Sequence, residues 1–231
     1  MKKIIFDLDN TLMMFNDRYI YDYSSIINGT YEDGMKLYKS IGKYEDSTGI
    51  YNKKELLRFI NKDMNLNYTM ELFDKLLDAI SNNWIYYVPD GTKEVLNYLY
   101  CKYELYVLTN WFSDCQANRL KHVELLKYFR EIVGADKFKP KPNVDGYLYI
   151  TGDTNKEDVI MIGDNVDIDI KGANDAGINS ILIDYKNRYP DYEKRITDNE
   201  YSPGQDLDCP DGQSTLFESG VSIICSLTTA H

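Results

Sequence analysis

Two carboxylates separated by one residue stand directly after the first apolar run of the chain. Residues 3–7 read KIIFD, and Asp9 follows Asp7 within the stretch DLDNT. Carboxylates this close repel each other, so they need either a cation between them or a proton on one of them. Mg²⁺ binds carboxylate oxygens, and a protonated Asp can act as a general acid. Alone, an Asp-x-Asp pair is equally compatible with an ordinary helix-capping turn.

A second acidic cluster follows a later apolar run. Residues 158–164 read DVIMIGD, and Asp169 comes five residues after Asp164. Asp167 in the same cluster is interpreted as a capping residue, since negative charge suits a helix N-terminus. If both runs are parallel strands, Asp7 and Asp164 lie at the same sheet edge and form a site for a hard cation.

Two further stretches offer groups that could bind a phosphate. Thr109 and Asn110 follow the run ELYVL and supply a hydroxyl and an amide before a predicted helix. The segment FKPKP holds Lys139 and Lys141 between prolines, which stiffen the loop. One of these lysines could direct its ammonium at a phosphate or a carboxylate, and the other is expected to be solvated.

The elements that must position these residues alternate between strand and helix. Short apolar runs, typical of strands buried on both faces, are separated by segments with helical spacing, at residues 90–102, 114–129 and 167–176. This pattern predicts an α/β fold with a doubly wound parallel sheet and right-handed crossovers. The predicted strands are residues 3–7, 104–109, 131–134, 158–164 and 180–184.

One long interval between the first strand and the rest of the sheet shows only helical patterns. Four helices are predicted near residues 18–27, 31–44, 53–64 and 69–83, too long an interval for a loop. We therefore expect a core of residues 1–12 and 86–200 with an all-helical domain, residues 13–85, inserted into it. The tail, residues 201–231, contains neither Lys nor Arg and could form one edge strand at 221–227; we expect it to be either poorly ordered or an altered terminus.

Composition excludes several classes of protein. The chain has 231 residues and a formal net charge of −11, which argues against non-specific binding to nucleic acid. No apolar run approaches the roughly 18 residues of a membrane span, and the amino end lacks a signal core. We therefore expect a cytoplasmic protein with four free cysteines and neither nucleic acid nor membrane as a partner.

These motifs together resemble the haloacid dehalogenase (HAD)-like hydrolase superfamily. DLDNT at residues 7–11 is similar to its first motif, and Leu108-Thr109-Asn110 to its second. KPNVDGY at residues 141–147 is similar to the third, although KPKP starting at Lys139 also fits. Gly163-Asp164 with Asp169 is similar to the fourth. The resemblance covers roughly residues 1–190 and implies a Rossmannoid sheet with a helical cap inserted after the first motif.

The resemblance also implies roles for individual residues. Asp7 would be the nucleophile that forms an aspartyl-phosphate, and Asp9 the acid and base. Thr109, with Asn110 beside it, would bind the transferring phosphoryl group. Lys141 would neutralise charge on Asp7 and on the phosphate. The metal ligands would be Asp7, the main-chain carbonyl of Asp9, Asp164 and, directly or through water, Asp169.

The implied activity is that of a Mg²⁺-dependent phosphatase acting on a small phosphorylated metabolite. Asp9 favours phosphatases and mutases over dehalogenases, which lack an acid two residues after the nucleophile. Residues 109–120 also resemble those of nucleotidase-like members, which points to nucleotides. The alternatives are a phosphomutase and a non-catalytic binding protein of the same fold. The sequence gives no prediction of oligomeric state.

Overall fold

The central feature of the fold is a parallel sheet of six strands. The computed structural model describes residues 2–15, 19–81, 86–185, 187–192 and 195–196. The strand order is β5-β4-β1-β6-β7-β8. Their bounds are β1 Lys3–Phe6, β4 Glu104–Leu108, β5 Phe129–Val133, β6 Val159–Gly163, β7 Asn179–Ile183 and β8 Arg195–Ile196. The five longer strands coincide with the five predicted apolar runs, and the α/β prediction is confirmed.

Strand β1 lies in the middle of this sheet and is buried on both faces. Ile4 and Phe6 pack into one apolar cluster and Ile5 into another on the opposite face. Because neither face meets water, the strand shows a continuous apolar run instead of alternation. Phe6 is in register with Val107 on one side and Ile162 on the other. The residues that come directly after these three strands therefore share one edge of the sheet.

Helices cover both faces of the sheet. Their bounds are α5 Thr92–Tyr100, α6 Ser113–His122, α7 Asp145–Thr151 and α8 Lys171–Ala176. Helix α6 is shorter than the helical pattern of residues 114–129 predicts. Glu124 has a left-handed φ of 62° and the Leu125 amide donates to the Leu120 carbonyl, which terminates the helix.

The segment before α8 differs from the single helix predicted over residues 167–176. Val166–Ile170 forms a π-helical turn, in which the Ile170 amide donates to the carbonyl of Asn165. The side chain of Asn165, not that of Asp167, caps this turn by accepting from the amides of Asp167 and Ile168. Asp167 lies exposed in the first turn, so the predicted negative charge at this helix start is present, but the capping interpretation is wrong because Asn165 is the N-cap.

Four helices form the insert between the first strand and the rest of the sheet. They are α1 Tyr19–Ile26, α2 Tyr31–Ser47, α3 Lys53–Asp63 and α4 Met70–Ser81, and we call them the helical insert. Thr30 and Asp33 form a capping box at the start of α2, and Asn52 caps α3. Gly34 lets α2 approach α1 closely, since a Cβ atom there would lie 2.2 Å from Ser24 Oγ.

Three very short strands have no counterpart in the sequence pattern. The pair β2 (Met14–Phe15) and β3 (Tyr86–Tyr87) is antiparallel and flanks the helical insert, and β8 extends the sheet by two residues. Two residues are too few to show an alternation of apolar and polar side chains, so such strands can be recognised only from their hydrogen-bonded pairing in the structure.

Some sequence predictions concern features beyond the sheet. In the described part of the chain, none of the helices has the length and apolar character that crossing a bilayer requires. Among the described residues, Cys101 and Cys115 form no disulfide. The tail with its predicted strand at residues 221–227 lies outside the described residues, as do Cys209 and Cys225.

Candidate active site

Asp7 lies at the carboxyl end of β1 and is buried. Its main-chain amide donates to the carbonyl of Ile162, which keeps it anchored to β6. Thr11 Oγ1 donates to Asp7 Oδ2 at 3.0 Å, and Lys141 Nζ donates to Asp7 Oδ1 at 2.7 Å. Each carboxylate oxygen is therefore held by a different donor, which fixes the orientation of the group.

Lys141, and not Lys139, reaches the carboxylates. Lys141 is 6% exposed and its ammonium also donates to Asp169 Oδ1 at 2.6 Å, whereas Lys139 is exposed. Burial alone lowers the pKa of Lys141, but the adjacent Asp169 and Asp7 carboxylates outweigh it and raise the pKa above its ordinary value. Lys141 is therefore a permanent cation in this site.

Asp164 and Asp169 complete an acidic cluster with Asp7. One carboxylate oxygen from each of the three lies within 4.8 Å of the others, and all three residues are buried. The π-helical turn brings Asp169 back toward the end of β6, where Asp169 Oδ2 accepts the Asn165 amide at 3.1 Å. Gly163 makes room for it, since a Cβ atom there would lie 2.5 Å from Asp169 Cγ.

The three carboxylates fit a hard divalent cation. They offer oxygen ligands at one place. Lys141 and Arg188 contact these carboxylates, but their two positive charges do not balance three negative ones. Arg188 Nη2 donates to Asp164 Oδ2 at 2.7 Å and to its carbonyl at 2.5 Å. The carboxylate of Asp9 is not a member of this cluster.

Burial dominates the protonation behaviour of the acidic cluster. Desolvation raises the pKa of Asp7 above its ordinary value, and the Lys141 ammonium acts in the opposite direction. Burial likewise raises the pKa of Asp164, with the Asp169 carboxylate adding to the effect and Arg188 opposing it. A cation among these groups would stabilise their ionised forms.

Asp9 points away from the acidic cluster, toward helix α6. Its Oδ2 accepts from Gln116 Nε2 at 3.0 Å, and its Oδ1 lies 2.7 Å from Arg119 Nη2. The Arg119 contact is close enough for an ion pair but is not aligned as a hydrogen bond. Asp9 therefore lies near Asp7 with its carboxylate held by a second element of the fold.

Thr109 and Asn110 follow β4 and have different surroundings. Thr109 is buried, and its Oγ1 accepts from Gln116 Nε2 at 2.9 Å. The Asn110 side chain donates to the Lys141 carbonyl at 2.9 Å and accepts from the Lys141 amide at 2.7 Å. Both ends of the Asn110 side-chain amide thus bind the main chain of Lys141. These two hydrogen bonds fix the loop that carries Lys141.

A cavity of about 360 Å³ lies over these side chains, between the sheet and the helical insert. The sheet contributes the acidic cluster, Asp9, Thr109 and Lys141 to its wall. The helical insert contributes Tyr23 from α1 and residues of α2 that include Tyr38, Lys39 and Glu45. Burial raises the pKa of Glu45 to about 8, and the nearby Asp9 and Asp46 carboxylates add to this.

Sequence reasoning named Tyr23 of the helical insert among the aromatic residues that could stack on a base or sugar. It did not identify Glu45 of the insert, Gln116 and Arg119 of α6, or Arg188 after β7. Gln116 and Arg119 lie within the stretch SDCQANRLKH, where Gln116, Arg119 and Leu120 share a helical face. That stretch has few apolar residues, yet a helix that packs on a sheet must bury one face. The sequence therefore held a signal that some polar residues of this helix are buried. Arg188 and Glu45 carried no comparable signal.

Comparison with known proteins identifies the family from most of the chain. The family model described as haloacid dehalogenase-like hydrolase matches residues 4–183. The chain is similar to the pyrimidine 5′-nucleotidase PynA of Streptococcus pneumoniae, with 25% identity covering 91% of this chain and 95% of the relative. It is also similar to a glyceraldehyde 3-phosphate phosphatase of Methanocaldococcus jannaschii, with 26% identity covering 87% of this chain and 90% of the relative.

Solved structures show the same fold. The HAD-hydrolase YfnB of Bacillus subtilis superposes with a TM-score of 0.63 at 22% sequence identity. The match covers 79% of this chain and 88% of YfnB. The chain therefore shares its fold with YfnB.

Proposed function

The chain belongs to the haloacid dehalogenase-like hydrolases, and on this premise we propose that it is a Mg²⁺-dependent phosphomonoester hydrolase. The observation that carries the proposal is the placement of Asp7. Its buried carboxylate is oriented by Lys141 and Thr11, faces a cavity, and lies beside Asp164 and Asp169. These are the surroundings that an anionic nucleophile needs in order to approach an anionic phosphate.

In this proposal Asp7 attacks the phosphorus atom of the bound ester. A bond forms between an Asp7 oxygen and phosphorus while the bond from phosphorus to the leaving oxygen breaks. Asp9 gives a proton to that oxygen, and the alcohol leaves. Asp9 then takes a proton from a water molecule, which attacks the phosphorus of the aspartyl-phosphate. The bond from Asp7 to phosphorus breaks, and inorganic phosphate is released.

Other residues stabilise charge during these two steps. Lys141 lies next to Asp7 and can neutralise charge on both the nucleophile and the transferring group. The Thr109 hydroxyl lies on the cavity wall and can hold a phosphoryl oxygen. We propose that Asn110 acts mainly by holding the main chain of Lys141.

The same acidic cluster would hold Mg²⁺. The ligands would be carboxylate oxygens of Asp7 and Asp164, the main-chain carbonyl of Asp9, and Asp169 directly or through water. The ion would supply charge neutralisation between the anionic nucleophile and the anionic substrate.

The substrate is proposed to be a small phosphorylated metabolite, with nucleotides as the first candidates. The helical insert, acting as a cap, would close the cavity and contact the leaving group. Tyr23, Tyr38 and Trp111 line the cavity and could stack on a base or a sugar. PynA, which covers nearly the whole chain, is named a pyrimidine 5′-nucleotidase.

Phosphate release with and without Mg²⁺ tests this proposal. A panel of 5′-nucleotides, sugar phosphates and small phosphorylated acids should include at least one substrate whose turnover stops when EDTA removes the metal. Asp7→Asn should lower turnover by at least about 1,000-fold while leaving the melting temperature nearly unchanged. The control is Asp167→Asn, an exposed acid on the π-helical turn, which should retain activity.

Two results would contradict the proposal. If wild type and Asp7→Asn release phosphate at the same rate from every substrate, the chain is a non-catalytic binding protein of this fold. If a sugar phosphate isomerises faster than free phosphate appears, the chain is a phosphomutase.

A further inference from the structure

Helix α6 carries two polar side chains that are fully buried against the site. Gln116 is 0% exposed and Arg119 is 2% exposed, and Arg119 is among the largest buried side chains of the described residues. Burying a guanidinium group is costly unless it is paired with a charge and hydrogen-bonded. The partners of this arginine therefore indicate what it does.

Arg119 and Gln116 form a connected network with the site. Arg119 Nη1 donates to Gln116 Oε1 at 2.7 Å, which fixes which end of the Gln116 side chain is the amide nitrogen. That nitrogen donates to both Asp9 Oδ2 and Thr109 Oγ1. Arg119 Nη2 faces Asp9 Oδ1 at 2.7 Å. The network thus links Asp9 at the end of β1 with Thr109 at the end of β4.

We propose that Gln116 and Arg119 are positioning residues, which hold the Asp9 carboxylate toward the leaving oxygen of a phosphoryl group bound at Thr109. The inference rests on the proposed function. Asp9 lines the cavity with 28% of its side chain exposed. Each carboxylate oxygen has two acceptor sites. The Gln116 hydrogen bond uses one site on Oδ2 and the Arg119 ion pair holds Oδ1, so the second site on Oδ2 remains for the proton that Asp9 moves.

The network makes a specific kinetic prediction. A general acid helps most when the leaving oxygen is a poor leaving group, and it helps little when the leaving anion is already stable. Loss of Arg119 or Gln116 should therefore slow alkyl phosphates selectively. A loss of fold or of metal would slow all phosphate esters alike.

The test compares benzyl phosphate, whose leaving group is a poorly stabilised alkoxide, with p-nitrophenyl phosphate, whose leaving group is a stable phenolate. The parameter is kcat/KM, because it includes only the steps up to departure of the leaving group. Arg119→Met and Gln116→Leu should lower kcat/KM for benzyl phosphate about 10- to 100-fold more than for p-nitrophenyl phosphate. Arg119→Lys, which keeps the charge, should recover part of the loss.

Two controls make the outcome decisive. Lys121→Met changes a basic residue on the exposed face of α6 and should affect neither substrate. If Arg119→Met does not fold, Gln116→Leu retains the ion pair and still tests the network. An equal loss on both substrates, or no loss on either, would overturn the inference. If wild type shows no Mg²⁺-dependent turnover of these two esters or of any substrate in the panel above, the proposed function is overturned and the inference with it.

Discussion

Arg188 shows how a residue outside the acidic cluster can shape it. Its guanidinium binds both the carboxylate and the carbonyl of Asp164. Its own position is fixed because the buried carboxylate of Asp184 accepts from the main-chain amides of Arg188 and Tyr189. With Oδ2 of Asp164 held in this way, Oδ1 is left for a cation. Arg188 would thus act on the proposed Mg²⁺ through the orientation of Asp164.

We expect Arg188→Gln to weaken Mg²⁺ binding. Loss of an outer partner of a metal ligand typically costs 10- to 100-fold in affinity, so the dissociation constant should rise by about 10-fold or more. Calorimetric titration of the metal-free protein with Mg²⁺ measures this directly. Arg188→Lys retains the charge but not the paired contacts, so it should also bind Mg²⁺ more weakly. Tighter binding by Arg188→Gln would instead mean that Arg188 competes with the cation.

At the scale of single residues, the sequence best predicts the positions that come directly after a buried strand. Asp7, Thr109 and Asp164 stand immediately after apolar runs, so their common sheet edge is a consequence of strand order alone. The positions of Gln116 and Arg119 could not be predicted in this way. Polar residues on a helix normally face water, and only the packing of α6 against the sheet shows that this pair is buried.

At the scale of elements, the π-helical turn is the part of the site that could not be predicted from sequence patterns. An α-helix and a π-helical turn share nearly the same spacing over five residues, and the wider turn becomes visible only from its hydrogen bonds. That turn and Gly163 together bring Asp169 to the acidic cluster. By contrast, β1, β4, β6 and β7 were predictable because nearly all of their residues are buried. The edge strand β5 shows an apolar run only at its buried end, Ile132 and Val133.

We expect Gly163→Ala to disrupt the site through Asp169. The new methyl group would lie 2.5 Å from Asp169 Cγ, so the carboxylate must leave its contacts with Lys141 and Asn165. Overpacking of this kind typically costs about 1–3 kcal/mol in stability. Urea unfolding and Mg²⁺-dependent phosphate release should both show the loss.

The matched control for this substitution is Gly49→Ala. A Cβ atom at that exposed position meets nothing within 4 Å, so stability and activity should stay at the wild-type level. Full Mg²⁺-dependent activity of Gly163→Ala would mean that Asp169 is not needed in its present position.

At the scale of the whole molecule, the site depends on the helical insert being seated on the sheet. The Tyr51 amide donates to the Ala135 carbonyl at 2.7 Å, and Lys53 forms an ion pair with Asp114 of α6. The same seating places Glu45 of α2 in the cavity wall, near Asp9. Glu45 has neither an ion pair nor a hydrogen bond among the described residues. Its protonation therefore reports on contact between the two parts of the molecule.

The pH dependence of stability should show this contact. Burial first, and the Asp9 and Asp46 carboxylates second, raise the pKa of Glu45 from 4.5 to about 8 in the folded protein. The folded state therefore keeps a proton that the unfolded state has lost. The stabilisation is complete below about pH 4.5, decreases as the pH rises, and is gone above about pH 8.

Glu45→Gln removes this dependence because the amide has a similar shape and does not ionise. Its melting temperature should match that of wild type near pH 4.5 and exceed it above pH 8 by at least about 2–4 °C, the shift that about 1 kcal/mol produces in a chain of this size. The control is Glu32→Gln, on the exposed side of the same helix. Its melting temperature should differ from that of wild type by the same amount at both pH values. If Glu45→Gln behaves like Glu32→Gln, the Glu45 carboxyl is solvated and the helical insert stands farther from the sheet in solution.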